Sequence, residues 1–458
     1  MPRRREYLNP FDREKPSENN PIEIAVHTEF FSENYLRYRN ELIKLVDMSK
    51  LPFVNVTFLP ARNLSPELKN LLRNREIPLC YYADTSVYQE KIVLRYDEVE
   101  MGILNGNLNK WGEVCFDNSK VKVLDSQALT HLVPDYFVLS GEDYFYKERE
   151  TSFKKVTIYE LLQELRILLV HYGIFYQTPN SKIVGDEPYY SYRVDKKFPQ
   201  FVKSNLIWSY IGDSSPSITH SNFSSLAQRL YMISKALDKI DFHSLKKPNN
   251  DTLDECLYHL GYLIMLVTGA FDGVAWIIKE FYNFNLRKER VSILVPMQKQ
   301  KTDFTKMLNE CNTHLYDYLV NEETKTKINI IYQIRHSLQH RAYIQGMGQI
   351  ISKNKGPNLL YLPNDSHDLL DDLSDDLSSV WGLNHDMGEG KLFELRVFTH
   401  RIFEITCEII NTTLSLIEWD NQIVQLDHDK REELRKKLET LVYSKAGSGL
   451  TSDSLYFD

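Results

Sequence analysis

The sequence lacks two features that would point directly to a metal or a nucleic-acid ligand, a C-x-x-C motif and an excess of positive charge. Its five cysteines are scattered and odd in number, which is typical of reduced thiols in a cytosolic protein and predicts no zinc site. The 55 lysines and arginines are outnumbered by 63 aspartates and glutamates, and the net charge is -8. Any contact with nucleic acid must therefore come from a local basic patch.

Targeting signals and repeats are also missing from the sequence. The basic start MPRRREYLNPFD has no apolar core behind it, so we expect no signal peptide. Leu260–Ile278 is apolar over 19 residues, close to the length that spans a bilayer, but it contains Asp272 and three glycines. We interpret it as a buried core helix and expect a cytoplasmic protein without a membrane contact.

The length of 458 residues and the 42% hydrophobic content indicate two or three globular domains. We predict a flexible tail over residues 1–20 and a disordered tail over 446–458. Between them we predict a mixed α+β domain over 21–215 and a helical domain over 216–445. A segment rich in serine, proline and glycine, Ile211–Asn222, marks the boundary.

The N-terminal domain shows helix and strand patterns but no recognisable chemistry. Thr157 and Glu160 form a capping box that predicts a helix over Thr157–His171, ended by Gly173. A phosphate loop, a nucleophile elbow and a paired-carboxylate motif are absent from its sequence. The tyrosine-rich run at 189–192 could stack RNA bases, but we favour half-buried sheet surface. Further patterns predict a helix at Phe30–Val46 and strands at Phe53–Phe58, Lys91–Leu94, Glu113–Phe116 and Lys120–Leu124.

Beyond residue 216 the spacing of apolar residues is helical. Predicted helices cover Asn222–Asp241, Asp251–Phe284, Thr302–Val320, Glu322–Ile344, Ser366–Val380, Lys391–Glu418 and Asp429–Tyr443. The predicted fold class is therefore mainly α, an N-terminal mixed α+β region followed by a C-terminal bundle of long antiparallel helices.

One stretch of the helical domain concentrates chemically useful side chains, Ile330–Tyr343 (IIYQIRHSLQHRAY). The histidine of such a stretch suits proton transfer, and the planar arginine fork suits phosphate. Arg335 and His340 are five residues apart, which is well over a quarter-turn on a straight helix. To meet on one phosphate they need a bend, a helix end or a second copy of the chain.

A metal site in this stretch is the weaker alternative. His336 and His340 have the i, i+4 spacing of a zinc pair, but glutamate is missing from the metalloprotease position and no third ligand has motif spacing. We therefore predict neither a metal nor another cofactor.

The residues Arg335 to His340 resemble the Arg-x4–6-His signature of the HEPN superfamily of helical ribonuclease domains, in which the residue after the arginine is usually polar, as His336 is. The resemblance implies metal-independent RNA cleavage by 2′-hydroxyl attack, leaving a 2′,3′-cyclic phosphate. It implies catalytic roles for Arg335, His336 and His340 at a homodimer interface. It also implies an acidic residue of the catalytic site on a facing helix, which Asp272 matches, with Arg335 as its partner.

Many members of that superfamily act as toxins or in antiviral defence, so the resemblance implies an effector whose N-terminal domain senses a trigger or a companion protein. The alternative is a non-catalytic helical dimerisation or binding module that keeps the motif as structure. Basic residues near the motif are the predicted RNA contacts, with scattered solvated lysines as the alternative: Lys299, Lys301, Lys325, Lys327 and Arg341. Six aspartates within residues 365–376 predict a solvated helix face, or else a gate that competes with RNA.

Overall fold

The computed structural model of the chain is mostly helical, with a smaller mixed α/β region, as the sequence predicts. It describes residues 9–59, 65–74, 80–81, 91–96, 99–105, 135–138, 154–177, 182–211, 218–340, 345–347, 357–363, 368–373 and 375–446. The chain forms two compact units, one within Met1–Val184 and the other Gly185–Ser448. Residues 185–211, placed in the N-terminal domain by the sequence analysis, therefore belong to the second unit.

The first unit combines helices with short strands. Its helices are α1 Thr28–Glu33, α2 Tyr35–Met48, α3 Pro66–Asn74 and α4 Ile158–His171. Its strands are β1 Ile22–His27, β2 Val54–Leu59, β3 Cys80–Tyr81, β4 Lys91–Tyr96, β5 Val99–Asn105, β6 Tyr136–Val138, β7 Lys154–Val156, β8 Phe175–Gln177 and β9 Lys182–Val184.

A parallel sheet of order β2-β1-β6-β7 forms the centre of this unit, with Ile22 opposite Val54 in the first pair. α2 lies in the crossover from β1 to β2, which parallel pairing requires. Strands β3-β4-β5 form an antiparallel sheet, and β8 and β9 form a hairpin. The strands predicted at Phe53–Phe58 and Lys91–Leu94 are confirmed, whereas those predicted at Glu113–Phe116 and Lys120–Leu124 lie outside the described residues.

Capping explains where the helices of the first unit begin and end. The backbone amide of Glu160 donates to Thr157 Oγ1 at 3.2 Å and the Thr157 amide donates to the Glu160 carboxylate at 2.7 Å, so the predicted capping box is confirmed. Gly173 follows α4 with a φ of +74°, a conformation that favours glycine. The single helix predicted at Phe30–Val46 is wrong, because it divides at Asn34, whose side chain donates to the Phe30 carbonyl.

The second unit is built mainly from helices. They are α5 Asp186–Lys197, α6 Pro199–Ile211, α7 Ile218–Leu245, α8 Asn250–Phe281, α9 Asp303–Cys311, α10 Thr313–Val320, α11 Glu322–His340, α12 Leu377–Trp381, α13 Leu395–Ser415, α14 Trp419–Ile423 and α15 His428–Ala446. An antiparallel sheet of order β10-β11-β13-β12 contains β10 Gln345–Met347, β11 Leu359–Pro363, β12 Leu383–Asp386 and β13 Gly390–Glu394.

Helix α8 lies at the centre of the second unit and packs against α7, α11 and α13. Within the described residues, α8 alone is long and apolar enough to cross a membrane by length and composition. Of the apolar part of α8, 61% is buried inside the protein, and the core helix of a globular protein meets the same criterion.

A break in the helix predicted at Thr302–Val320 joins three parts of the second unit. Asn312 separates α9 from α10 and accepts a hydrogen bond from the Leu315 amide. Its buried side-chain amide donates to the Tyr282 hydroxyl at 2.8 Å and to the Leu416 carbonyl at 2.7 Å. One side chain therefore ties the start of α10 to the ends of α8 and α13.

Two further expectations need correction. The tyrosine-rich run lies in α5 rather than in a sheet, and Tyr189 and Tyr190 are buried. Acidic residues in the first turn of α5 and lysines in its last turn favour that helix. The helix predicted at Lys391–Glu418 begins only at Leu395, because the preceding residues pair in β13 between β11 and β12.

The aspartate-rich segment is also not one helix. It contains a 3-10 turn at Asp368–Leu370 and then α12, with Asp365 outside the described residues. Two of its carboxylates bind side chains outside the segment: Asp371 binds Lys391 Nζ at 2.7 Å, and Asp375 accepts from Trp381 Nε1 at 3.0 Å. The Ser378 amide donates to Asp376 Oδ1 at 3.0 Å, so Asp376 caps α12 and the helix begins only after the aspartates.

Candidate functional site

The arginine of the R-x4-H stretch lies on the partly exposed side of α11. Ile331 and Ile334 are buried and Leu338 is partly buried, so the predicted apolar stripe is confirmed. Arg335 is half-buried and His336 is exposed. Of the remaining predicted site residues, His340 is on α11 but its side chain lies outside the described part, and so does Arg341 altogether.

A tyrosine, rather than the predicted arginine, binds the acidic residue of the facing helix. The Tyr332 hydroxyl donates to Asp272 Oδ1 at 2.8 Å, whereas within the described residues no ion pair joins Asp272 to Arg335. The predicted Asp272–Arg335 pair is therefore wrong. Asp272 is half-buried rather than fully buried, so a hydroxyl donor together with water suffices for it.

The guanidinium of Arg335 packs on the ring of that same tyrosine. Its Cζ lies 5.9 Å from the Tyr332 ring centroid, within the range of a cation–π contact. Its Nε is buried without a hydrogen-bond partner, and in the described part of the chain its charge has no ion-pair partner. Tyr332 thus lies between a carboxylate and a guanidinium that do not pair with each other.

Tyr332 remains a hydrogen-bond donor at any ordinary pH. Burial raises its pKa, and the negative charge of Asp272 raises it further, while a hydrogen bond with Ser292 and the charge of Arg335 act in the opposite direction. The resulting pKa lies far above neutrality, so the hydroxyl keeps the proton that it donates to Asp272.

The loop that follows α8 runs along α11, and its backbone carbonyls accept hydrogen bonds from polar side chains of α11. Asn329 Nδ2 donates to the Val295 carbonyl at 2.8 Å, and Lys325 Nζ donates to the Met297 carbonyl at 3.1 Å. Lys325 is ten residues before Arg335, about 15 Å along the helix at 1.5 Å per residue. The loop residues near Met297 therefore lie toward the opposite end of α11 from the arginine.

Two of the predicted RNA-binding lysines serve the packing of the second unit. Lys325 and Lys327 are buried, and Lys327 Nζ contacts Glu408 Oε1 at 2.9 Å and Glu323 at 2.7 Å. Neither ammonium is available to a phosphate, so these two assignments are corrected. Lys299 and Lys301 are exposed, but they follow Met297 and are distant from Arg335.

A cluster that the sequence analysis missed lies where α7 meets α8. The Nε2 atoms of His243 and His259 lie 4.0 Å and 3.8 Å from the same oxygen, Glu255 Oε2. The two imidazole rings stack at 5.9 Å with 24° between their planes. One possible ligand atom from each residue lies within 4.8 Å of the other two, so these three side chains could bind a metal ion.

The surroundings of the cluster keep its imidazoles uncharged. Burial, followed by the charges of Lys246, His259 and Lys239, lowers the pKa of His243 to about 4. Burial also lowers the pKa of His259, and Glu255 opposes that shift. The i, i+4 spacing of Glu255 and His259 was visible in the sequence, but His243 is on another helix, and only the packing of α7 on α8 brings it near.

Comparison of the chain with protein-family models, curated proteins and solved structures gives no match.

Proposed function

We propose that the protein is a metal-independent endoribonuclease of the HEPN type that cleaves RNA by attack of the 2′-hydroxyl on the adjacent phosphate. The observation that carries the proposal is the state of Arg335. Its guanidinium has no ion-pair partner in the described chain, although the Asp272 carboxylate is on the facing helix. The positive charge of Arg335 is therefore available to bind an anion such as a phosphate. A purely structural arginine would be expected to pair with that carboxylate.

The chemistry assigns different tasks to the side chains of the motif. Arg335 would stabilise the extra negative charge on the phosphate in the transition state. His340 would transfer the proton from the 2′-oxygen or to the leaving 5′-oxygen. His336 is exposed beside the arginine and would assist in proton transfer or in binding the phosphate. Asp272 would act through Tyr332, which supports the guanidinium, so we treat it as a positioning residue.

The straight helix favours a site shared between two copies of the chain. Residues 335 to 340 are helical throughout, so a bend within the motif does not bring the arginine and the histidine together. Five residues turn a helix by about 140° beyond one full turn, so positions 335 and 340 lie on different faces of α11. In a homodimer, Arg335 of one copy and His340 of the other could face the same phosphate.

An exposed apolar stripe beside α11 supports the dimer. Tyr258, Tyr262 and Met265 recur at helical spacing on α8 and are 65%, 40% and 40% exposed. Gly261 lies on the adjoining face of α8, where a β-carbon would lie 3.9 Å from Leu338 Cδ2 of α11. The stripe therefore borders the motif helix and offers apolar surface that a second copy would bury.

The second candidate function is a non-catalytic dimerisation or binding module. The burial of Lys325 and Lys327 favours it, because it removes two cations from the predicted RNA surface. Such a module would retain Arg335 as a packing residue and would have no hydrolytic activity.

An RNA cleavage assay with EDTA present separates the two functions. The parent should cleave RNA and leave 2′,3′-cyclic phosphate ends, while His340→Ala and Arg335→Lys should lose at least about 100-fold in rate. His314→Ala, which changes an exposed histidine of α10, is the matched control and should cleave like the parent. Failure of the parent to cleave any of transfer, ribosomal and messenger RNA would favour the binding module.

The same proposal makes the chain a toxin or an antiviral-defence effector in the cytoplasm. Its N-terminal unit would then respond to a trigger or a companion protein. Growth arrest on expression of the parent, and its absence with His340→Ala, would support that role.

A further inference from the structure

The His243, Glu255 and His259 cluster shares no side chain with the Arg335–His340 motif and is not used in the proposed cleavage chemistry. Glu255 and His259 are on α8, thirteen or more residues before Asp272, which is about 20 Å along the helix. We propose that these three side chains bind one divalent transition-metal ion, with zinc as the best match. The ion would join the end of α7 to the first turns of α8.

The distances are close to those of a bound ion. Zinc lies about 2.0–2.2 Å from imidazole nitrogen and carboxylate oxygen in a tetrahedral site, so neighbouring ligand atoms are about 3.4 Å apart. In the structure, Glu255 Oε2 is 4.0 Å from His243 Nε2 and 3.8 Å from His259 Nε2. Glu255 is 54% exposed, so its side chain is free to move the roughly 0.5 Å that separates it from coordination distance to each histidine. The ligand nitrogens of the two histidines lie within 4.8 Å of each other.

The backbone already holds the ligands in place. Glu255 and His259 share one face of α8 because they are four residues apart. A capping box fixes the start of that helix, with the Thr252 amide donating to Asn249 Oδ1 at 2.9 Å and the Asn249 amide to Thr252 Oγ1 at 3.0 Å. The short connection between α7 and α8 then brings His243 against the same face. The packing of the two helices therefore places one ligand atom of each residue within 4.8 Å of the other two.

The donor set selects the class of metal. Two imidazole nitrogens and one carboxylate oxygen suit zinc and similar transition metals, whereas calcium and magnesium require mainly oxygen ligands. The half-buried rings favour the uncharged form that coordinates a metal. Lys239 and Lys246 contribute nearby positive charge, which weakens binding of any cation held by charge alone. Three protein ligands leave a fourth position for water.

Zinc binding by the chelator-treated, full-length protein tests the proposal. Isothermal titration with zinc chloride should give one ion per chain, and cobalt(II) should give the visible absorption of a tetrahedral site. Glu255→Gln, His243→Gln and His259→Gln should each weaken zinc binding by about 10-fold or more. His314→Gln, a matched change at an exposed histidine, should bind like the parent.

Thermal unfolding provides a second readout. Zinc should raise the melting temperature of the parent and of His314→Gln but not that of Glu255→Gln. Glu255 is a half-exposed surface residue, so its variant should fold even if a histidine variant does not. The proposal is overturned if the parent takes up no zinc, or if Glu255→Gln binds zinc as tightly as the parent. Because RNA cleavage is assayed in EDTA, neither result depends on nuclease activity.

Discussion

The hydroxyl of Tyr332 donates to Oδ1 of Asp272 at 2.8 Å, and this bond holds the carboxylate of α8 on the tyrosine rather than on the arginine one turn later. The Arg335 guanidinium packs on the face of the same ring. The tyrosine therefore acts as a spacer between two opposite charges. Removal of the Tyr332 hydroxyl would leave the Asp272 carboxylate to bind Arg335 instead.

Tyr332→Phe should therefore weaken both stability and the proposed phosphate site. The variant keeps the ring under Arg335 but removes the donor to Asp272, which should cost about 1–3 kcal/mol of unfolding free energy. The released carboxylate should then attract Arg335 and lower RNA affinity. Urea unfolding and RNA titration measure the two effects, with the exposed Tyr159→Phe of the first unit as control. Equal unfolding free energies for the two variants would show that the hydrogen bond does not stabilise the fold.

Lys327→Gln should destabilise the protein without changing how RNA binding depends on salt. The Lys327 ammonium joins α11 to α13 through Glu408, and charge-assisted hydrogen bonds contribute about 1.5–3 kcal/mol. The double variant Lys299→Gln, Lys301→Gln changes exposed side chains and should leave stability unchanged. It should reduce the slope of log RNA affinity against log salt concentration by about 1 for each lysine that binds a phosphate in the parent. A changed slope with Lys327→Gln would show that Lys327 contacts RNA.

Neutralising different aspartates of the aspartate-rich segment should have different effects on stability and on RNA binding. Its 3-10 turn packs against α11, so its exposed carboxylates lie near the motif helix. Asp371→Asn should destabilise the fold because it breaks the ion pair with Lys391. Asp368→Asn with Asp372→Asn changes exposed side chains and should leave stability unchanged. If this segment is a gate, that double variant should bind RNA more tightly at low salt, and unchanged binding would make it a solvated surface.

The apolar stripe on α8 should control the oligomeric state. Tyr262→Asp places a charge in the middle of the surface that the proposed dimer would bury, and should shift the protein to monomers in analytical ultracentrifugation. Leu36→Asp changes an apolar side chain that is 87% exposed in the first unit and serves as the control. A parent that is monomeric at all concentrations would remove the shared site.

The metal-free protein should lose stability as the pH falls from about 6.5 toward 4. Burial lowers the pKa of His243 to about 4 in the folded chain, so the unfolded chain binds a proton first and is favoured as the pH falls. The stabilisation is complete above pH 6.5 and disappears as the pH passes through the folded value. Unfolding free energies in EDTA should decline less for the double variant His243→Gln, His259→Gln, and identical declines would contradict the assignment.

Local patterns in the sequence were sufficient for much of the fold. The capping box at Thr157 and the apolar stripe of α11 depend on residues within one or two helical turns, and both are present as predicted. The break at Asn312 was missed because its amide binds groups 30 and 104 residues away along the chain. Apolar spacing alone does not report such contacts.

The candidate site was harder to predict because its contacts also join residues that are distant in the sequence. The sequence placed Asp272 near the motif, but the rotation of α8 against α11 decides that Tyr332 rather than Arg335 binds it. The partner of Lys327, Glu408, is 81 residues away, so nothing near the lysine indicates its burial. His243 approaches His259 only through the packing of two helices.

The side-chain amide of Asn312 also has a consequence for folding kinetics. Its bonds to Tyr282 and Leu416 form only when the ends of α8 and α13 have both reached the start of α10. Because closing a long loop costs entropy before its contacts form, we expect these bonds to form late in folding. Asn312→Ala should therefore accelerate unfolding far more than it slows refolding, so that this one amide acts mainly on the lifetime of the folded state.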